Sequence, residues 1–429
     1  MKIFKSGYSS VREAQTANFG ERRVSVNSGW FRGGSARYRP PKTALLSPEF
    51  LKKAILDGWV GDAPVINRGT KVLTFGSCFA ANIARHLGDA GFNLIGANEN
   101  REEQNESVWT VACNEGIVNT FTIRQLTEWI YNNKTPNQPL WKKKEGKELY
   151  AFSDAHRQRT RKLFDSAEVL IITLGLSEVW YNKGTGEVFS STIPRSLFDE
   201  ETYGFRLSTV SENVENLSIV YGLIRKQSPN ARIIFTLSPV PLLATFRPIS
   251  CISANTVSKA TLRVAVDELY RNNQADERLH YWPSYELVME GFRDSFASDN
   301  RHVRKEVLTF IMLLFEQVYC TDGPSDEAVF KAFFDAAAAS GEVRKEWGVA
   351  IAKPAGRWFS GVSKLIKLAE STKRGPEEAI LFLRRLQLKH PGNTRIAAAI
   401  ERLWARVRES EESAANARLE RQAARRGRA

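Results

Sequence analysis

No run of about eighteen consecutive apolar residues occurs in the 429-residue chain, so nothing in it reads as a membrane-spanning helix. Cysteine is scarce. The four residues, Cys78, Cys113, Cys251 and Cys320, form no Cys-x-x-Cys pair and no Cys/His cluster. Neither a disulfide framework nor a zinc site is suggested by that spacing, and scattered thiols fit a reducing compartment. The opening MKIFKSGYSSVREAQ has basic residues but no apolar segment behind them. A secretory leader is therefore not expected, and the cytoplasm is the expected location. RNP, helix-turn-helix and zinc-finger signatures are missing as well. The formal charge of +13 is spread along the chain, apart from WKKKEGK and the terminal RLERQAARRGRA. Such charge speaks to solubility and non-specific attraction, so nucleic acid is not the expected partner.

What is present is an ordinary globular composition, 42% hydrophobic and 25% charged, long enough for one large core and two or three domains. Residues 1–65 lack a strong period. They hold GWFRGGSARYRPP and then SPEFLKKAILDGW, which predicts a short helix with Ser47 as N-cap and Pro48 in its first turn. This segment reads as an extension packed on the domain that follows.

From Lys71 the pattern becomes an alternation of strands and helices. KVLTF, VLIITLG (169–175) and ARIIFTLS (231–238) are continuous apolar runs, each ending in small or polar residues. Between them lie the amphipathic stretches 79–92, 210–229 and 255–271. Such runs bounded by helices describe strands buried on both faces, hence a mostly parallel sheet in a doubly wound α/β sandwich. Active sites in such sheets collect at the carboxyl ends of the strands, so GSC, GLSE and SPV should face one crevice. Residues 132–160 and 182–209 read as insertions or long loops. After Asp322 the period is purely helical, giving a small helical appendage over 323–429 with a basic tail. Its AILFLRRLQLKHPGN resembles half a tetratricopeptide-type hairpin, too little for a solenoid.

Ser77 stands where the first strand turns into a helix. A hydroxyl there projects from the sheet, and the following N–H groups point to the same space at the positive end of the helix. That can supply a nucleophile and part of an oxyanion hole, or it can be a bend that simply needs Gly76 and small neighbours. Cys78 is the rival nucleophile. The residue after such a turn normally offers its N–H, so Cys78 is expected to be buried and inert. Of the five histidines, His86 should point away from the crevice, and His280 and His390 read as packing or surface residues. His302 differs. It follows Asp299 by three residues in SDNRHV, just before a long apolar helix, so one loop could present an orienting acid and a base.

These residues resemble the GSCFA family within the SGNH/GDSL hydrolase superfamily. FGSCFA (75–80), TLGLSEVW (173–180), IIFTLSPVP (233–241), NTVSKATLRVAV (255–266), YWPSYELVMEGFRD (281–294) and SDNRHV (298–303) occur in order across Lys71–Cys320. The resemblance implies a flavodoxin-like three-layer α/β/α sandwich over 66–322, with the helical extension behind it. It implies Ser77 as nucleophile, Asp299 and His302 as acid and base, and Asn119 and Gly175 as lining of the site. Where most SGNH enzymes carry an oxyanion-donating Asn, this chain reads Gly175-Leu176-Ser177-Glu178. Ser177, Asn119 or a backbone N–H such as that of Cys78 would have to substitute. Glu178 could touch substrate or hold a loop.

The implied activity is a serine esterase or O-acyltransferase. Its substrate would be a small-molecule or glycan ester, plausibly an O-acyl group such as acetyl on a carbohydrate, and no metal or organic cofactor is implied. The alternative is a non-catalytic scaffold of the same fold that binds a protein partner or a polyanion.

Overall fold

Val72–Gly76 (β3), Val169–Leu174 (β4) and Arg232–Leu237 (β7) are the three continuous apolar runs of the sequence, and all three are strands. In a computed structural model they lie side by side with Leu279–Trp282 (β8) as one parallel sheet in the order β3-β4-β7-β8. The structure describes residues 16–19, 22–25, 37–96, 118–137, 152–190, 192–343, 362–371 and 375–426. Much of the expected N-terminal extension, Cys113, the WKKKEGK stretch and the last three residues lie outside these.

A further parallel bridge joins Leu94 to Val72, with Val72 donating to Asn93 O and accepting from Ile95. It lies on the edge of β3 away from β4. The chain therefore leaves β3, returns on its outer side and then crosses to β4, the order of a flavodoxin-like sheet with its switch point beside β3. The expected α/β fold is the one observed.

Alternation along each strand splits the core in two. Leu73, Phe75, Leu170, Ile172, Ile233 and Phe235 face one side. There they meet Thr120–Asn132 (α3), Asp154–Ser166 (α4), Val210–Gln227 (α5) and Cys251–Asn272 (α6). Val72, Val169, Ile171, Ile234 and Trp282 face the other, against Cys78–Asp89 (α2), Ser284–Gly291 (α7) and Lys305–Tyr319 (α8). Helices on both faces make three layers.

Pro48–Leu56 (α1) starts as the sequence predicts, with Ser47 Oγ accepting from Phe50 N. Its Leu51 and Leu56 join the second core. So do Asp326–Ala339 (α9), Val362–Glu370 (α10), Pro376–Lys389 (α11) and Thr394–Arg426 (α12), through Phe333, Phe334, Phe382, Leu386, Ile396 and Leu403. Each such side chain contributes on the order of 2 kcal/mol when buried. Among the described residues the C-terminal helices thus share one continuous core with α2 and α8.

Two stretches expected as loops contain regular elements. Residues 154–166 form α4, whose buried face is a single narrow stripe of Arg157, Thr160 and Phe164 on an otherwise polar helix. Within 182–209, Tyr203–Leu207 (β6) pairs antiparallel with Glu178–Asn182 (β5) in a separate ribbon. A second ribbon pairs Thr16–Phe19 (β1) with Arg22–Ser25 (β2). Among the described residues no helix is long and apolar enough to cross a membrane.

Candidate active site

The turn at the end of β3 is sterically dictated. Gly76 has φ +130°, and a Cβ built there would lie 2.1 Å from Thr173 O, so only glycine fits. Thr173 is its register partner on β4, and the same carbonyl accepts a hydrogen bond from Ser77 N at 3.2 Å. Ser77 is thereby placed at the N-cap of α2 with extended dihedrals (φ −80°, ψ 174°). Its Oγ accepts from Phe79 N at 3.2 Å, a capping bond that fixes the hydroxyl at the positive end of the helix. Ser77 is 5% exposed. Cys78 departs from expectation: it is half-buried rather than buried, and its sulfur acts electrostatically on Lys259.

The segment before α8 forms its own small structure. Phe296 bridges to Val303, Ala297 N donates to His302 O, and Asn300 adopts a left-handed turn at φ 53°. Asp299 closes that turn, its Oδ1 accepting from the N–H groups of Arg301 and His302 at 3.0 Å each. The other carboxylate oxygen pairs with His302 Nδ1. The side-chain contact with His302, and then the two backbone donors, hold the Asp299 carboxyl down at about 2. With Nδ1 directed at the carboxylate, Nε2 is left as the proton acceptor. The pair is open to solvent, His302 at 64% and Asp299 at 48% side-chain exposure.

The structure therefore brings Asp299 and His302 together and places Ser77 at the expected strand-to-helix turn. No hydrogen bond joins Ser77 to His302 among the described residues. What relates the two segments is a residue the sequence reading passed over. Lys259, on α6, is 1% exposed and donates through Nζ to Gly175 O at 2.6 Å. Burial pulls its ammonium down to about 7. Cys78 acts to keep the proton on it and Arg301 to remove it, so the Ser77–Cys78 turn and the His302 loop both lie within electrostatic reach of one buried amine.

The other expected site residues are engaged by protein. Gly175 N donates to Val118 O at 2.8 Å, and a Cβ on Gly175 would meet Val118 Cβ at 2.9 Å, which explains the glycine. Ser177 is fully buried. Its N–H donates to Ser258 Oγ at 2.9 Å, its hydroxyl to Ser258 O at 3.1 Å, and its carbonyl accepts from Ser208. Asn119 caps α3, Oδ1 accepting from Thr122 N at 3.0 Å, and donates one amide hydrogen to Phe189 O at 3.4 Å. Gly175 and Ser177 thus have no donor left for a substrate oxygen, and Asn119 has one amide hydrogen.

Glu178 holds a loop. Its carboxylate accepts from Thr245 Oγ1 at 2.7 Å and pairs with Arg247 at 3.3 Å, tying the segment after β7 to β5. This sets Phe246 on Trp180 and Phe205, with ring centroids 4.7 and 5.0 Å away. Phe246 is 59% exposed, and the exposed Leu197, Phe198 and Leu243 belong to the same two loops. His86 pairs with Glu316, and His280 accepts from Gly61 N in the core, so neither enters this region. A cavity of about 630 Å³ lies between α1 and the C-terminal helices, lined by Lys53, Ile380, Arg384 and Trp404 among others. It contains none of the expected site residues.

No curated protein matches the chain. Among solved structures, an acetyl xylan esterase (Est2A) from the rumen bacterium Butyrivibrio proteoclasticus is similar at 15% identity and a TM-score of 0.21. The match covers 52% of this chain and 56% of that one. A likeness at that score carries no weight for fold or chemistry. The sequence model of the GSCFA family matches residues 71–315. That is more than half of the chain and takes in β3, Ser77, Lys259 and the Asp299–His302 loop, and the protein belongs to the GSCFA family.

Proposed function

We propose that this protein is a serine-dependent hydrolase of esterase type. Ser77 is the nucleophile, His302 the general base and Asp299 its orienting partner. The Asp299–His302 pair carries the reading, because it is already formed in the loop that opens α8, and α8 shares one core with α2, the helix that Ser77 caps.

In the reaction, His302 Nε2 takes the Ser77 proton as Oγ attacks the acyl carbonyl. The imidazolium, held by Asp299, then returns that proton to the departing alkoxide, leaving an acyl-enzyme and the free alcohol. Water, deprotonated by the same imidazole, hydrolyses the ester on Ser77. A sugar hydroxyl entering in place of water would make the same machinery an O-acyltransferase. The exposed ring of Phe246, set edge-on against Trp180 and Phe205 on the segment that follows β7, offers an apolar surface at the carboxyl end of the sheet, which would suit an ester on a carbohydrate.

Active-site labelling with a fluorophosphonate tests the assignment. Covalent labelling of the wild type that disappears in Ser77→Ala supports it, and a folded wild type that never labels refutes it. A second reading, a non-catalytic scaffold of the same fold, draws on the engaged donors of Gly175 and Ser177. That same failure to label would favour it.

A further inference from the structure

A buried ammonium is costly unless it is paired or used. Lys259 is 1% exposed, and among the described residues no carboxylate pairs with it; its hydrogen-bond partner is the neutral carbonyl of Gly175. One of its three N–H donors is spent there, and two remain. The neighbouring Ser258 is equally specific, since it holds both polar groups of Ser177. Two adjacent residues of α6 thus clamp the loop where an oxyanion-donating amide was expected. One of them closes the serine that replaces that amide, and the other brings in a cation.

Position supports a direct role. Thr173 O anchors Ser77 N, and Gly175 O anchors Lys259 Nζ. These carbonyls are two residues apart, one at the end of β4 and one just beyond it. The turn that carries Ser77 and the amine of Lys259 are thus both held by the same short carboxyl-terminal end of β4, the end of a parallel sheet where a substrate's reacting group is bound.

We propose that the Lys259 ammonium is the electrophile of this site, donating to the acyl oxygen as negative charge develops on it during attack by Ser77. The inference rests on Ser77 being the nucleophile. Charge moves onto the carbonyl oxygen as the Oγ–C bond forms, Lys259 keeps its proton throughout, and His302 alone transfers one. The role requires the protonated amine, whereas a lysine acting as base would require the neutral one.

The test is the rate of fluorophosphonate labelling of the full-length protein between pH 5.5 and 9, for wild type, Lys259→Met and Lys259→Arg. The phosphonyl oxygen of the reagent stands in for the acyl oxygen. Wild-type labelling at Ser77 should slow as pH rises above about 7, where the ammonium loses its proton. Lys259→Met should label about 100- to 1,000-fold more slowly. Lys259→Arg, whose charge persists, should retain labelling and lose the alkaline decline. The electrophile is overturned if Lys259→Met labels within threefold of wild type, or if the wild-type rate climbs through pH 7 in a Lys259-dependent way, the behaviour of a base. Labelling of Ser77 in either case leaves the hydrolase reading standing. A wild type that does not label removes both.

Discussion

Lys259 reaches from α6 to donate a 2.6 Å hydrogen bond to Gly175 O while almost none of its surface is exposed. An amine in that position is a burden on the fold as well as an asset to the site. Burial lowers its pKa from 10.5 to about 7, so between those values the unfolded chain binds more protons than the folded one, and stability rises with pH. The burden is present in full below about pH 7 and is lifted towards pH 10.5. Lys259→Met should therefore melt about 2–8 °C above wild type at pH 6, with the gap closing by pH 10. Thermal melts of both proteins across that range are the check, and a gap independent of pH would contradict it.

Ser77 has a capping role separable from the nucleophilic role proposed for it. Ser77→Ala should abolish labelling and ester turnover while destabilising the fold by only about 1 kcal/mol, the loss of one N-cap bond to Phe79. Ser77→Gly should be equally inactive and closer to wild type in stability. Denaturant titrations alongside activity assays separate the two effects.

At Gly76 the outcome is reversed. Gly76→Ala drives a methyl group into Thr173 O on a strand buried on both faces. A loss of about 4 kcal/mol or more is expected, with little soluble protein and no site to assay. A soluble variant melting within about 3 °C of wild type would show that the turn can relax.

Asp299 and His302 sit in an exposed loop, so their replacement should leave the melting temperature nearly unchanged. His302→Asn should lower kcat/KM by about 100- to 10,000-fold, and Asp299→Asn by a comparable or smaller factor. Because Asp299 stays ionised down to about pH 2, an acid limb seen above pH 4 belongs to another group. Loss of that limb in Asp299→Asn, with kcat preserved, would mean the carboxylate was its source.

Phe246 offers a test of substrate contact away from the reacting atoms. Phe246→Ala removes an exposed ring resting on Trp180 and Phe205. KM for a glycan ester should rise about 3- to 30-fold with kcat retained, the pattern of binding shared by ground and transition states. Steady-state kinetics on acetylated oligosaccharide against a small aryl acetate provides the comparison.

Three of the four main strands could be read directly, because a β-branched run buried on both faces has few alternatives. LHYW of β8 could not. It is four residues long and carries His280, and its burial depends on neighbours that only the folded sheet provides. The Asp299–His302 pair was legible because a spacing of three within one loop makes it a local structure. The fates of Gly175 and Ser177 were not, since their partners Val118, Ser208 and Ser258 are tens of residues away in sequence. Lys259 was legible in principle. Lys259, Leu262, Val266 and Leu269 fall on one stripe of α6, and a lysine in line with buried apolar residues is a signal in itself.

Val72, Val169 and Ile171, α2 and α8 draw on the same hydrophobic mass as α9–α12. Ser77 opens α2 and the Asp299–His302 loop opens onto α8, so two segments more than two hundred residues apart rest on a common foundation that the C-terminal helices complete. Shortening the chain from its C-terminal end would thus loosen the Ser77 turn and the Asp299–His302 loop together. Heat-induced loss of their alignment and unfolding of that half should then coincide as a single event, with no window in which an intact-looking protein has let the two segments drift apart.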